Sequence, residues 1–150
     1  MKRLAECLAK ERVVFLASPD KPSALNELVN AIATAPSVGD AERLRKAIFD
    51  RERILSTGIG LGIAVPHAKI QSVGEFLIAV GVSPQGIAFD SLDGKSVKII
   101  VMIAGPDNRQ DQYLKLLAIT TLFLKSTRNR EAILAAKTPE EVYKLFAEGE

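Results

Sequence analysis

The chain of 150 residues has no tryptophan, one cysteine, one histidine and only 5 % aromatic residues. A single cysteine excludes an internal disulfide, and Cys7 reads as a small apolar filler rather than a nucleophile. So few aromatics leave little material for stacking on bases. The charge excess is small as well: 20 Lys and Arg stand against 18 Asp and Glu, for a net charge of +2. That is no broad basic footprint for nucleic acid. No apolar run approaches the ~18 residues of a membrane span. Lys2 and Arg3 open the chain, but Glu6, Lys10, Glu11 and Arg12 interrupt what would be the core of a signal peptide. The reading is a cytoplasmic protein that neither inserts into membranes nor binds nucleic acid.

Hydrophobic residues make up 47 % and charged residues 25 %, the balance of an ordinary globular chain. A length of 150 residues predicts one domain spanning 1–150. A domain of this size buries roughly 70% of the surface its unfolded chain exposes, enough to stand without disulfide or metal.

Residues 2–10 carry Leu4, Cys7 and Leu8 at helical spacing, and Val13 to Leu16 reads as a strand. Ser18-Pro19-Asp20-Lys21-Pro22 breaks it. Ser23 is the expected N-cap of a helix over 23–34, with Leu25, Leu28, Val29 and Ile32 on one face. Asp40 caps the next helix, which buries Leu44, Ala47 and Ile48 and runs to about Arg53. Ile63-Ala64-Val65 is a short strand closed by Pro66. Phe76 to Val82 and Val97 to Ala104 read as strands buried on both faces, with Ser83-Pro84-Gln85-Gly86 as a turn and Asp93-Gly94 as another. A long helix starts at Asp107 or Asn108 and reaches about Lys125. A short one follows from Thr127 to Ala136. Thr138-Pro139-Glu140 opens the last, burying Val142, Leu145 and Phe146. Strands and helices mix without strict alternation. The expectation is a mixed central sheet flanked by helices, a three-layer αβα sandwich of the α/β (α+β) class.

The chemistry concentrates in Ser56-Thr57-Gly58-Ile59-Gly60-Leu61-Gly62-Ile63-Ala64-Val65-Pro66-His67. Gly58, Gly60 and Gly62 permit positive φ and close approach of a ligand to the main chain, and consecutive amides there can form an anion-binding nest. The bland alternative is a strand interrupted by bulges. The spacing is neither a dinucleotide fingerprint nor a P-loop. Pro66 fixes its own φ and keeps Val65 extended, so His67 stands on a stiff stem at the end of a strand. Ser56 and Thr57 add hydroxyls.

Leu44, Ile48 and Arg51 are spaced four and then three residues apart, which puts Arg51 on the apolar stripe of its helix. A guanidinium there wants an anion: Glu52, another carboxylate, or a phosphoryl group on His67. One histidine and one distant cysteine do not make a zinc site. A hydrolase with His67 as general base needs a nucleophile, and no G-x-S-x-G elbow is present. A phosphohistidine carrier needs one imidazole, alignment and charge stabilisation. No metal and no cofactor are expected.

At these residues the chain resembles the enzyme IIA component of the bacterial phosphoenolpyruvate-dependent phosphotransferase system. The branch is the fructose–mannitol type, with its nitrogen-regulatory members. The pattern R-E-x-x-G-S-T-G-x-x-x-G-x-A-x-P-H is met by Arg51, Glu52, Ser56, Thr57, Gly58, Gly62, Ala64, Pro66 and His67. Ile87-Ala88-Phe89-Asp90, Asp93-Gly94 and Val97 also match. The resemblance implies a mixed-sheet αβ sandwich. It implies that His67, through Nε2, accepts a phosphoryl group from an HPr-like carrier and passes it to an enzyme IIB or signals to regulatory targets. No fused permease or IIB segment lies in the chain, which favours regulation.

Two positions depart from the pattern. The family's glycine before Ser-Thr is Leu55, which predicts an altered turn. A second histidine, common at the start of the long helix, corresponds to Tyr113. A phenol offers one hydrogen bond to a phosphoryl oxygen and stays neutral, or simply packs half-buried. The alternative function is a regulatory module that keeps the fold and binds partners without being phosphorylated.

Overall fold

The computed structural model describes residues 4–149. Its organising element is an antiparallel pair, β5 (Leu77–Ile87) and β6 (Val97–Gly105). β1 (Val13–Phe15) runs parallel to β5 on one side. On the other side β3 (Ile63–Ala64) and β4 (His67–Lys69) lie one after the other, parallel to β6, and β2 (Gly58–Gly60) pairs antiparallel with β3. The strand order is β1-β5-β6-β3-β2, with β4 also on β6. The sheet is mixed, as expected.

The period-2 geometry of strands divides the two long apolar runs between two cores. Leu77, Ala79, Ile100, Met102 and Ala104 face the first core, with α2 (Lys21–Ile32) and α3 (Ala41–Ile54). Ile78, Val80, Val82, Ile99, Val101 and Ile103 face the second. There they meet α1 (Leu4–Cys7), α4 (Gln110–Lys125), α5 (Thr127–Ala135) and α6 (Pro139–Glu148). Both faces of the sheet are thus covered, which is why β5 and β6 read as continuous apolar runs rather than alternating ones. The three-layer αβα sandwich follows.

Several boundaries differ from expectation. The first helix is only Leu4–Cys7, followed by a 3₁₀ turn at Lys10–Arg12; residues 2 and 3 lie outside the described residues. α2 starts at Lys21, capped by Asp20 rather than Ser23: the Asp20 carboxylate accepts from the Ser23 amide at 2.9 Å. Pro22 therefore sits in the first helical turn, where its missing N–H costs nothing. Ser83-Pro84-Gln85-Gly86 is not a turn. β5 continues through it as an irregularity, with the register shifting between Val82 and Ile87. Proline removes a ladder donor, and a bulge tolerates that. α4 begins at Gln110, later than Asp107 or Asn108. In α6, Val142 and Phe146 are buried and Leu145 only partly.

Asp40 does cap α3, its carboxylate accepting from the amides of Glu42 and Arg43. The buried stripe of α3 runs Leu44, Ile48, Glu52 rather than to Arg51. Stepping by four keeps residues on one face, so a carboxylate rather than a guanidinium enters the interior.

Candidate functional site

The site forms where the segment after α3 meets the broken edge strand β3–β4 and the first turn of α4. Proline lacks an amide hydrogen, so Pro66 interrupts the strand. Its carbonyl still accepts from the Ile103 amide at 2.9 Å, and the strand resumes at His67, opposite Ile103. His67 thus opens β4 rather than closing β3. Its ring lies on the Ile103 face of the sheet, the side of α4, and packs edge-on against Tyr113, with ring centroids 6.0 Å apart.

The His67 Nδ1 lies 2.8 Å from the Val65 carbonyl oxygen. A carbonyl only accepts, so Nδ1 carries the proton and the neutral ring presents a bare Nε2. Burial holds the imidazole below its ordinary pKa, and the Arg51 charge pushes the same way. The bond to Val65 and the charge of Glu52 oppose that shift in part. Half-buried His67 is therefore neutral near pH 7, with a lone pair on Nε2.

Arg51, Ser56, Thr57 and His67 line one cleft together with Val65. Leu55, Ile59, Leu92 and Leu117 form its apolar rim. Arg51 does not pair with Glu52. One guanidinium N–H donates to the Leu55 carbonyl at 2.8 Å, one of the five that the group offers. Leu55 itself is extended (φ −163°), a conformation open to any residue. The leucine in place of the family's glycine therefore introduces no strain.

The Ser56 and Thr57 hydroxyls point inward. Ser56 Oγ donates to the Phe89 carbonyl at 2.7 Å and accepts from the Gly58 amide at 3.1 Å. Thr57 offers both its amide, at 3.2 Å, and its hydroxyl to the Glu52 carboxylate. Glu52 in turn pairs with Lys21 at 2.8 Å. Both hydroxyls thus hold the segment in place in this state. Because Ser56 Oγ is engaged with Phe89 and Gly58, it is not poised as a nucleophile activated by His67, as a hydrolase would need.

The glycines do not form an anion nest. Gly58 and Gly60 belong to β2, and the tight connection to β3 is Leu61-Gly62, with φ of 60° and 75°. Two successive positive φ values are what primed hairpin turns demand. Gly58 is glycine for another reason: a Cβ there would collide with Ser91. It supports the loop beneath the cleft but does not line it.

Tyr113 is buried, and burial raises its pKa above the ordinary phenol value, partly offset by Arg51. Its ring also lies 5.5 Å below the Lys69 ammonium, and Lys69 is bonded to Gln110. Among the described residues no group of His, Cys, Asp and Glu is arranged to hold a metal ion, and no helix is long and apolar enough to cross a membrane.

Three contributors carry no signal in the sequence. Lys21 lies between Pro19 and Pro22, which read as breakers in isolation. Leu92 and Leu117 reach the rim from distant segments with no motif. Only the four-residue spacing Leu44-Ile48-Glu52 carried a signal that Glu52 points inward.

The chain is 28% identical over 149 residues to a nitrogen regulatory protein of Pseudomonas aeruginosa, covering 99% of this chain and 97% of that one. It is 32% identical over 145 residues to a fructose-specific EIIABC component of Bacillus subtilis, covering 96% of this chain but only 23% of that longer protein. The fold matches the crystal structure of nitrogen regulatory protein IIA-Ntr from Neisseria meningitidis, with a TM-score of 0.89 and 24% identity over 95% of this chain and 98% of that one. It also matches the mannitol enzyme IIA of Escherichia coli solved in complex with phosphorylated enzyme IIB, with a TM-score of 0.73 and 23% identity over 93% and 95%. Residues 6–149 fit the model of the phosphoenolpyruvate-dependent sugar phosphotransferase system EIIA 2 family, and the chain belongs to that family.

Proposed function

We propose that the protein is a phosphocarrier whose phosphorylated intermediate forms on Nε2 of His67. The observation that carries this reading is the 2.8 Å bond from Nδ1 to the Val65 carbonyl, which leaves Nε2 as the only nucleophilic ring nitrogen. In the transfer, the Nε2 lone pair forms a bond to phosphorus in line with the breaking N–P bond of an HPr-like donor. The departing electron pair returns to the donor imidazole. The proton stays on Nδ1, hydrogen-bonded to the Val65 carbonyl, and that bond stabilises the substituted ring.

Arg51 supplies charge to the phosphoryl oxygens, a contribution that grows when the docked partner excludes water. Ser56, Thr57 and Gly58 act indirectly, by holding the cleft's wall. Tyr113 fixes the ring plane and offers its hydroxyl. No cofactor is required, because phosphoryl transfer asks mainly for alignment and electrostatics.

The rim is suited to docking. Leu55 is 58% exposed and Leu92 65% exposed. They flank the cleft beside Ile59 and Leu117, and an apolar collar around a reacting centre excludes water when covered. An HPr-like protein fits as donor. An enzyme IIB, as bound by the mannitol enzyme IIA of similar fold, or a regulatory target fits as recipient. Near end-to-end similarity to a nitrogen regulatory protein favours the signalling role.

The reading is tested by incubation with phosphoenolpyruvate, enzyme I and an HPr-like protein. An acid-labile, base-stable label is expected, and His67→Ala abolishes it. The second reading, a partner-binding module that is not phosphorylated, rests on Tyr113 standing where relatives of the resembled pattern carry histidine. A folded chain that resists labelling yet captures a regulatory target would select it.

A further inference from the structure

We propose that Lys21, the first residue of α2, is a positioning residue for the His67 site: it neutralises the buried Glu52 carboxylate and thereby holds the 56–58 segment and the imidazole in their working arrangement. The functional half of this inference rests on the phosphocarrier reading; the positional half does not.

Lys21 is the first residue of α2, set by the Asp20 cap. Its side chain is 16% exposed, and that of Glu52 only 4%. The ammonium donates to Glu52 Oε2 at 2.8 Å and to the Phe89 carbonyl at 3.4 Å, and it lies 4.5 Å from the Phe89 ring centroid. A continuous chain of bonds then leads to the reacting ring. Glu52 accepts the Thr57 amide and hydroxyl. The Thr57 carbonyl accepts the Val65 amide at 3.1 Å. The Val65 carbonyl accepts Nδ1 of His67. The other arm passes through Phe89, whose carbonyl Lys21 shares with Ser56.

The charge argument is equally direct. A buried carboxylate without a counter-charge is costly and repels any anion brought nearby. A phosphoryl group on His67 is such an anion. Lys21 lets Glu52 serve as the acceptor that organises Thr57 without opposing phosphorylation. The other charged or titratable groups about the imidazole are Arg51 on α3, Tyr113 on α4 and Lys69 on β4.

His67 is the only histidine in the chain, so its titration is read by NMR without assignment ambiguity and without any phosphoryl donor. The variants are Lys21→Met, Lys21→Arg and the double Lys21→Met/Glu52→Gln. In Lys21→Met the uncancelled carboxylate raises the His67 pKa by roughly half a unit or more. The double variant brings it back to the wild-type value or below it, because the Glu52 charge raises the pKa, and Lys21→Arg keeps the wild-type value. Phosphorylation of His67 by an HPr-like donor follows the same order. A folded Lys21→Met protein with wild-type titration overturns the proposal, as does a shift that the double variant retains. If Lys21→Met fails to fold, a double variant that folds and titrates at or below the wild-type value upholds it. A double variant that also fails overturns it, because Lys21 is then needed for packing alone. A normal pattern of titration shifts in a chain that no donor phosphorylates would sink the carrier reading and leave the positioning role standing.

Discussion

Val65 and His67 are locked together across Pro66: the imidazole of one residue donates to the carbonyl of the other, two positions back, at 2.8 Å. The proline between them stops the strand, turns the carbonyl toward the ring and lets the ladder with β6 resume at His67. One local backbone device therefore selects the tautomer and leaves Nε2 unprotonated in a residue that lines the cleft.

That arrangement sets the pH behaviour. The folded His67 pKa lies below the ordinary 6.5, with burial as its main cause. Between the folded value and 6.5 the unfolded chain holds a proton that the native chain refuses. Stability from this group is complete above 6.5 and is lost as pH falls through the window. Phosphoryl acceptance, which needs the bare nitrogen, should persist below 6.5 and decline only as the folded imidazole protonates. Denaturation profiles of wild type and His67→Gln check the first statement: the variant should lose less stability on acidification. Initial phosphorylation rates against pH check the second.

Arg51 has one N–H on the Leu55 carbonyl and stands in the wall of the cleft. Arg51→Gln should lower phosphorylation by about a hundredfold, the scale of losing one preorganised charge partner. Arg51→Lys should recover only part, since an ammonium cannot reproduce the planar fork. The same loss of charge should raise the His67 pKa in Arg51→Gln, because Arg51 pushes it down. Quantified phosphohistidine and the NMR titration measure the two effects independently.

Tyr113 separates packing from hydrogen bonding. Tyr113→Phe keeps the edge-on ring contact with His67 and removes only the hydroxyl. It should reduce phosphorylation by about threefold, the worth of one neutral hydrogen bond. Tyr113→Ala removes the ring as well and opens a cavity beside the imidazole, costing ~3 kcal/mol of stability and a larger share of the transfer rate. Thermal unfolding and phosphorylation rates for the pair give both numbers.

Much of this was legible in the chain. The helical stripes, the Asp40 and Thr138 caps and the two apolar runs led directly to α3, α6, β5 and β6, because each rests on local periodicity or on one side chain satisfying nearby amides. His67 stood out as the only titratable imidazole beside a Pro66 break. The expectations that failed were ones decided by tertiary contact. Pro22 and Pro84 look like breakers in isolation, yet a helix start and a bulged strand accommodate both. Gly60 and Gly62 suggest an anion nest until the pairing of β2 with β3 shows a hairpin. Gly58 is explained by Ser91, thirty-three positions away. Arg51 and Glu52 are one residue apart, and small differences in helix phase decided which of them faces the interior.

The most direct measurement is the two-bond ¹⁵N–¹H spectrum of the single histidine before and after treatment with phosphoenolpyruvate, enzyme I and an HPr-like donor. The account predicts a neutral, Nδ1-protonated ring that becomes phosphorylated at Nε2 with the Nδ1 proton retained. An imidazole unchanged by the donor, or phosphorus found on Nδ1 or on another residue, contradicts it.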